Sequence, residues 1–200
     1  GGSQGNIGAQ VGTGVGSLTV LGQISANNLL AIAGVPTING FIDQQGNGLT
    51  VNVVAPASMP LQVALALNAT LQNTTSLTKT GTGVLGVGGR SLTFSGPINV
   101  NQGTLAISAS GAFLGQGSAV VLNEAQVKTA LDLRGIASTT VGSGQGSAFI
   151  GSLAGTGTLD LGASTLRTGT RGDSNFGGVI RGDGSLTKVG DGSFTLDGSS

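Results

Sequence analysis

The reading turns on residues 151–200, GSLAGTGTLDLGASTLRTGTRGDSNFGGVIRGDGSLTKVGDGSFTLDGSS. Apolar residues come here in pairs with one polar residue between them, as in Leu159-Asp160-Leu161 and Phe194-Thr195-Leu196. Glycines flank each triplet: Gly155, Gly157 and Gly162 around the first, Gly190, Gly192 and Gly198 around the second. Strict alternation over a few residues marks a half-buried strand. Glycine between strands lets the chain turn at positive φ without a Cβ penalty.

The same pattern extends toward the N-terminus. Residues 76–83 (SLTKTGTG) match residues 185–192 (SLTKVGDG) at six of eight positions, with Lys79 and Lys188 in the same place. Self-similarity at a long offset points to an array of small units. Val51-Asn52-Val53, Leu92-Thr93-Phe94, Ile98-Asn99-Val100, Leu105-Ala106-Ile107 and Leu131-Asp132-Leu133 all read in-out-in, and residues 63–67 (VALAL) alternate too. Residues 1–40 are the least regular, with one alternating triplet at Leu18-Thr19-Val20. Residues 27–35 read equally as a short helix or a buried strand. Residues 56–60, bounded by Pro56 and Pro60, read as a loop, because proline cannot donate to a ladder. Residues 123–129 (NEAQVKT) are the best helix candidate, at one or two turns.

Composition removes several classes of function. Only 8% of the 200 residues are charged and the formal net charge is zero, so no clustered basic surface exists for nucleic acid. The 39 glycines follow no three-residue period, which excludes collagen. A hydrophobic fraction of 38% argues against disorder. The absence of cysteine excludes disulfides and thiolate metal sites, and fits both a reducing cytosol and a chain that stays extended until it folds outside the cell. No apolar run approaches the ~20 residues of a membrane span. The opening Gly1-Gly2-Ser3 has no signal-peptide character, so the chain reads as a piece of a longer protein.

Many short strands at even spacing suggest a sandwich or a strand solenoid. The triplets are shorter than usual sandwich strands, aromatics are few, and the same grammar runs from end to end. All three favour a single all-β parallel β-helix. A coil of about 20 residues would give on the order of ten coils. Leu105, Ile107, Leu131, Leu133, Leu159, Leu161, Leu186 and Leu196 are expected inside.

Residues 176–198 (FGGVIRGDGSLTKVGDGSFTLDG) resemble the passenger-associated transport repeat of bacterial autotransporters, of general form F-x-G-x-I-x-G-x-G-x-L-x-K-x-G-x-G-x-L-x-L-x-G. Phe194 stands where a leucine is usual. Residues 150–161 resemble the coils that lead into this repeat, and residues 1–70, which are less regular, resemble the family in style only. The resemblance implies a right-handed parallel β-helix passenger segment over residues 1–200, with residues 151–198 as the repeat region. It implies export through a C-terminal outer-membrane β-barrel of the same polypeptide, and a place at the bacterial cell surface or secreted.

Catalytic chemistry is thin. Without histidine there is no Ser-His-Asp arrangement and no imidazole metal ligand. Asp132 and Asp160 sit in the middle of triplets and are expected to face solvent. Stacked in register they would neighbour each other, as in sugar-cleaving β-helices, and glycoside cleavage needs such paired acids. No Trp or Tyr is present to stack on a sugar ring. Gly182-Asp183-Gly184 and Gly190-Asp191-Gly192 are incomplete against the tandem pattern of calcium-binding nonapeptides and read as turns. Arg171-Gly172-Asp173 and Arg181-Gly182-Asp183 are two RGD tripeptides, which resemble the loop by which adhesive proteins engage integrins. A ten-residue separation places them on different faces of a coil of about 20 residues, with 171–173 the freer loop. The favoured function is a structural and adhesive surface rod without cofactor, with a host-cell receptor as partner. The alternative is a fragment of a β-helical polysaccharide-active enzyme.

Overall fold

The computed structural model describes residues 10–27, 34–56, 62–88, 96–107, 117–124, 128–136 and 146–198. The first strands are β1 (Gln10–Thr19), β2 (Gln23–Asn27), β3 (Thr37–Asp43), β4 (Leu49–Val54), β5 (Val63–Leu67), β6 (Thr70–Gln72) and β7 (Leu77–Thr80). Then follow β8 (Val84–Val87), β9 (Ile98–Val100), β10 (Gly103–Ile107), β11 (Ala119–Leu122), β12 (Thr129–Asp132), β13 (Ser147–Phe149) and β14 (Ser152–Gly155). The last are β15 (Thr158–Asp160), β16 (Thr165–Thr168), β17 (Ser174–Phe176), β18 (Val179–Arg181), β19 (Ser185–Lys188) and β20 (Phe194–Leu196). No helix occurs among the described residues.

The chain winds from sheet to sheet and returns beside its own earlier strand. One sheet runs β1-β3-β5-β8-β10-β12-β15-β18, with β6 also on β3; a second runs β2-β4-β7-β9-β11-β14-β17-β20; a third, β13-β16-β19, joins late in the chain. Pairing in all three is parallel, for example Leu105 with Leu131 and Leu131 with Leu159. This is a parallel β-solenoid of eight levels in its second sheet. The expected ten coils shrink to eight because the period is uneven. Gln23 pairs with Thr50, Thr50 with Thr78, Thr78 with Asn99, and Ser174 with Phe194, so early circuits are longer than the late 20-residue one.

Stacking in register turns the triplets into columns. Leu65, Leu85, Leu105, Leu131, Leu159 and Ile180 pair one above the next through the first sheet. Leu49, Leu77, Ile98, Val120 and Leu153 do the same through the second. All but Ile180 are buried. Burying each such side chain contributes about 1.5–3 kcal/mol.

Six of the eight expected core leucines and isoleucines are buried; Leu186 and Leu196 are not. Leu186 is half-buried, and Leu196 is 54% exposed, because β19 and β20 each pair with one neighbour only among the described strands. Leu18 is 36% exposed at the other end for the same reason, since β1 pairs only with β3. The helix expected at 123–129 does not form at its described positions: Asn123, Glu124 and Lys128 are irregular and Thr129 opens β12. Residues 125–127 lie outside the described residues, as do residues 28–33, 57–61 and 89–95, on which most of three other expectations fell.

Candidate functional site

Where the chain passes between sheets it makes corners, and the two RGD tripeptides meet such corners. Arg171, Gly172 and Asp173 occupy the corner between β16 and β17, from the third sheet to the second. Arg181 ends β18, and Gly182 and Asp183 form the next corner, from the first sheet to the third. The two tripeptides therefore stand on different corners of the solenoid. All six residues are exposed.

Neither tripeptide is free at both charged ends. The Asp173 carboxylate accepts from the Ser193 N–H at 2.7 Å, one level further on. That backbone hydrogen bond, with a second from the Ser193 side chain, holds the Asp173 carboxyl below its ordinary value. The loop expected to be freer is thus tied to its neighbour through its acid. In the second tripeptide the tie is at the base: Arg181 Nε lies 3.1 Å from Asp160 Oδ2.

Asp160 itself corrects an expectation. It is 6% exposed rather than facing solvent. Register places Asp132 beside Asp160 and Asp160 beside Arg181, so an outward column carries two acids and then a base. Arg134 bends back onto this column. Its Nη2 meets Asp132 Oδ2 at 2.6 Å and its Nε lies 3.4 Å from Asp160 Oδ2. Asp160 Oδ1 also accepts from the Gly162 N–H at 3.1 Å. Burial works against the charge on Asp132, but the hydrogen bonds and charge of Arg134 outweigh it and keep its carboxyl below the ordinary value. The paired acids foreseen from the triplets do stack, but each is bound to guanidinium. The held-down carboxyl of Asp132 is a poor proton donor, whereas a glycosidase acid needs a raised pKa.

The roles of Arg134 and Lys79 were missed: Arg134 carries no motif, and Lys79 was read only as part of the echo of residues 185–192. Lys79 was legible in one respect: strict alternation after Leu77 points it inward, and it is indeed fully buried. Among the described residues no group of three or more His, Cys, Asp or Glu gathers to hold a metal ion. Among the described residues there is no helix long and apolar enough to cross a membrane.

The fold is a parallel β-solenoid with an acid–base column along its first sheet and the two RGD tripeptides at its corners. The chain is 34% identical over 176 residues to the Adhesin BmaC autotransporter of Brucella suis biovar 1 (strain 1330). That alignment takes in 86% of this chain, which spans 5% of the relative's length. No protein-family model matches the chain, and no solved structure matches it. The solenoid fold and that likeness together fit an autotransporter passenger segment.

Proposed function

We propose that this segment is part of a surface-exposed or secreted passenger stalk, a structural and adhesive rod. An outer-membrane β-barrel of the same polypeptide delivers it, and residues 151–198 act as its transport-repeat region. The observation that carries the reading is unbroken parallel stacking through eight levels, the geometry of a spacer that holds its corners away from a surface. Likeness to an autotransporter named an adhesin supports the adhesive part. The role is non-enzymatic: the acids that stack in register are held by Arg134 and Arg181.

Adhesion runs mainly through Arg171-Gly172-Asp173, and the partner is a host-cell receptor of the integrin type. Asp173 is exposed and held ionised, and among the described residues no ion pair holds Arg171. Arg181, by contrast, is committed to Asp160. With the 200-residue chain immobilised, integrin-bearing cells are expected to attach. Asp173→Glu should remove most of that attachment and Asp183→Glu little of it. Attachment that neither change lowers, or a native chain that holds no cells, sinks the reading.

A further inference from the structure

Lys79 stands in an inward column between Val51 and Val100, where every neighbour in register is aliphatic. Its side chain is fully buried. No carboxylate sits on it: the ion pairs among the described residues join Arg134 and Arg181 to Asp132 and Asp160. Nζ donates instead to three backbone carbonyls, those of Thr80 at 2.7 Å, Gly81 at 2.6 Å and Gln102 at 3.1 Å. The first two belong to the corner that follows β7. The third belongs to the next level, 23 residues on. Gln102 closes the clasp from the other side, its Oε1 accepting from the Gly81 N–H at 3.1 Å.

An ammonium group has three N–H donors and no acceptor, so three carbonyl oxygens use it completely. A neutral amine would turn a lone pair toward one of them. An apolar end would take a donor away from all three. Burial pushes Lys79 down to about 8, which still leaves it charged at neutral pH.

Two of these three hydrogen bonds recur at an exposed lysine. Lys188 Nζ donates to the carbonyls of Val189 at 2.9 Å and Gly190 at 2.7 Å, the same two positions after the lysine. Gly190 has φ +72° and Gly81 φ +74°. Yet β7 lies in the second sheet and β19 in the third. One short sequence thus builds the same corner in two different places, so the lysine belongs to the corner and not to one site in the core.

We propose that the carbonyls of Thr80, Gly81 and Gln102 form a binding site for a primary ammonium ion, that Lys79 is its tethered ligand, and that the filled site joins one level of the solenoid to the next. The ligand class follows from the geometry: a cation that directs three N–H donors, on a stem narrow enough for the aliphatic column.

The test removes the tether and supplies the ion. Lys79→Ala is titrated with n-propylammonium chloride at constant ionic strength, against tetramethylammonium chloride and sodium chloride. The expected result is a saturable rise in its denaturation midpoint with n-propylammonium alone, and none for the native chain or for Lys188→Ala. An equal response to all three salts, or the same rise in the native chain, overturns the proposal. Should Lys79→Ala not fold in any salt, NMR of the ¹⁵N-lysine-labelled native chain at neutral pH decides. A slowly exchanging ammonium signal coupled to the carbonyl carbons of Thr80, Gly81 and Gln102 supports the site, and a freely exchanging Lys79 amine overturns it.

Discussion

A methyl group on Gly103 would meet the carbonyl oxygens of Gly81 and Gly83 at 2.6 Å, from a backbone at φ +69°. Two penalties therefore fall on one residue. The left-handed backbone alone costs an L-residue about 1–2 kcal/mol. The contact adds to it, because these backbone oxygens belong to the level below and cannot swing aside. Gly46 separates the two effects, with φ +84° and nothing within 4 Å of its added Cβ. Gly46→Ala is expected to cost about 1 kcal/mol and Gly103→Ala about 3 kcal/mol or more in urea unfolding. Equal costs would mean that stacking imposes nothing at Gly103. Charge at the residue scale shows in acid. Asp132 has its folded pKa held below the ordinary 3.8, so what it contributes is complete above that pH. The contribution is lost as pH falls through the depressed folded value. Denaturation midpoints between pH 6 and 2.5 are expected to fall less steeply for Asp132→Asn than for the native chain.

Strands here are short, and several have three residues. Their stability comes from the column each inward residue joins, not from the strand itself. Leu159 has Leu131 beneath it and Ile180 above, and it is 0% exposed. Leu196 occupies the equivalent kind of position on β20 with a neighbour on one side only, Phe176. The same substitution should then have opposite outcomes. Leu159→Asp places an unpaired charge in the core and is expected to abolish cooperative unfolding. Leu196→Asp is expected to shift the midpoint by less than about 0.5 kcal/mol equivalent. Circular dichroism during thermal melting checks both, and a folded, cooperative Leu159→Asp variant would reject the column.

At the scale of the whole molecule, each level touches the one before and the one after, so stability is nearly a sum of neighbour terms along one axis. Opening is cheapest where a level has a single neighbour. Amide hydrogen exchange is expected to be slowest in β8 to β12 and fastest in β1 and β20, with a graded fall between. Uniform protection across all twenty strands would indicate an all-or-none globule. Corners recur along the same axis, and those that carry the two RGD tripeptides are exposed.

The winding was legible because it is local. In-out-in triplets such as Leu159-Asp160-Leu161, bounded by glycine, specify a strand and a turn within about ten residues. Repetition of that unit leaves few folds other than a stacked one. The inward lysine at 79 and the different corners of the two RGD tripeptides follow from the same alternation and period. What the sequence could not determine depends on which residues come to lie one level apart. The offsets between paired residues vary from circuit to circuit, so the partners of Asp160 are not readable from its neighbours in the chain. Only the folded stack brings Arg134 and Arg181 to Asp160, Ser193 to Asp173, and the Gln102 carbonyl to Lys79. Burial of Asp160 and exposure of Leu196 have the same origin: alternation says which face a side chain takes, and the neighbouring level decides whether that face is covered.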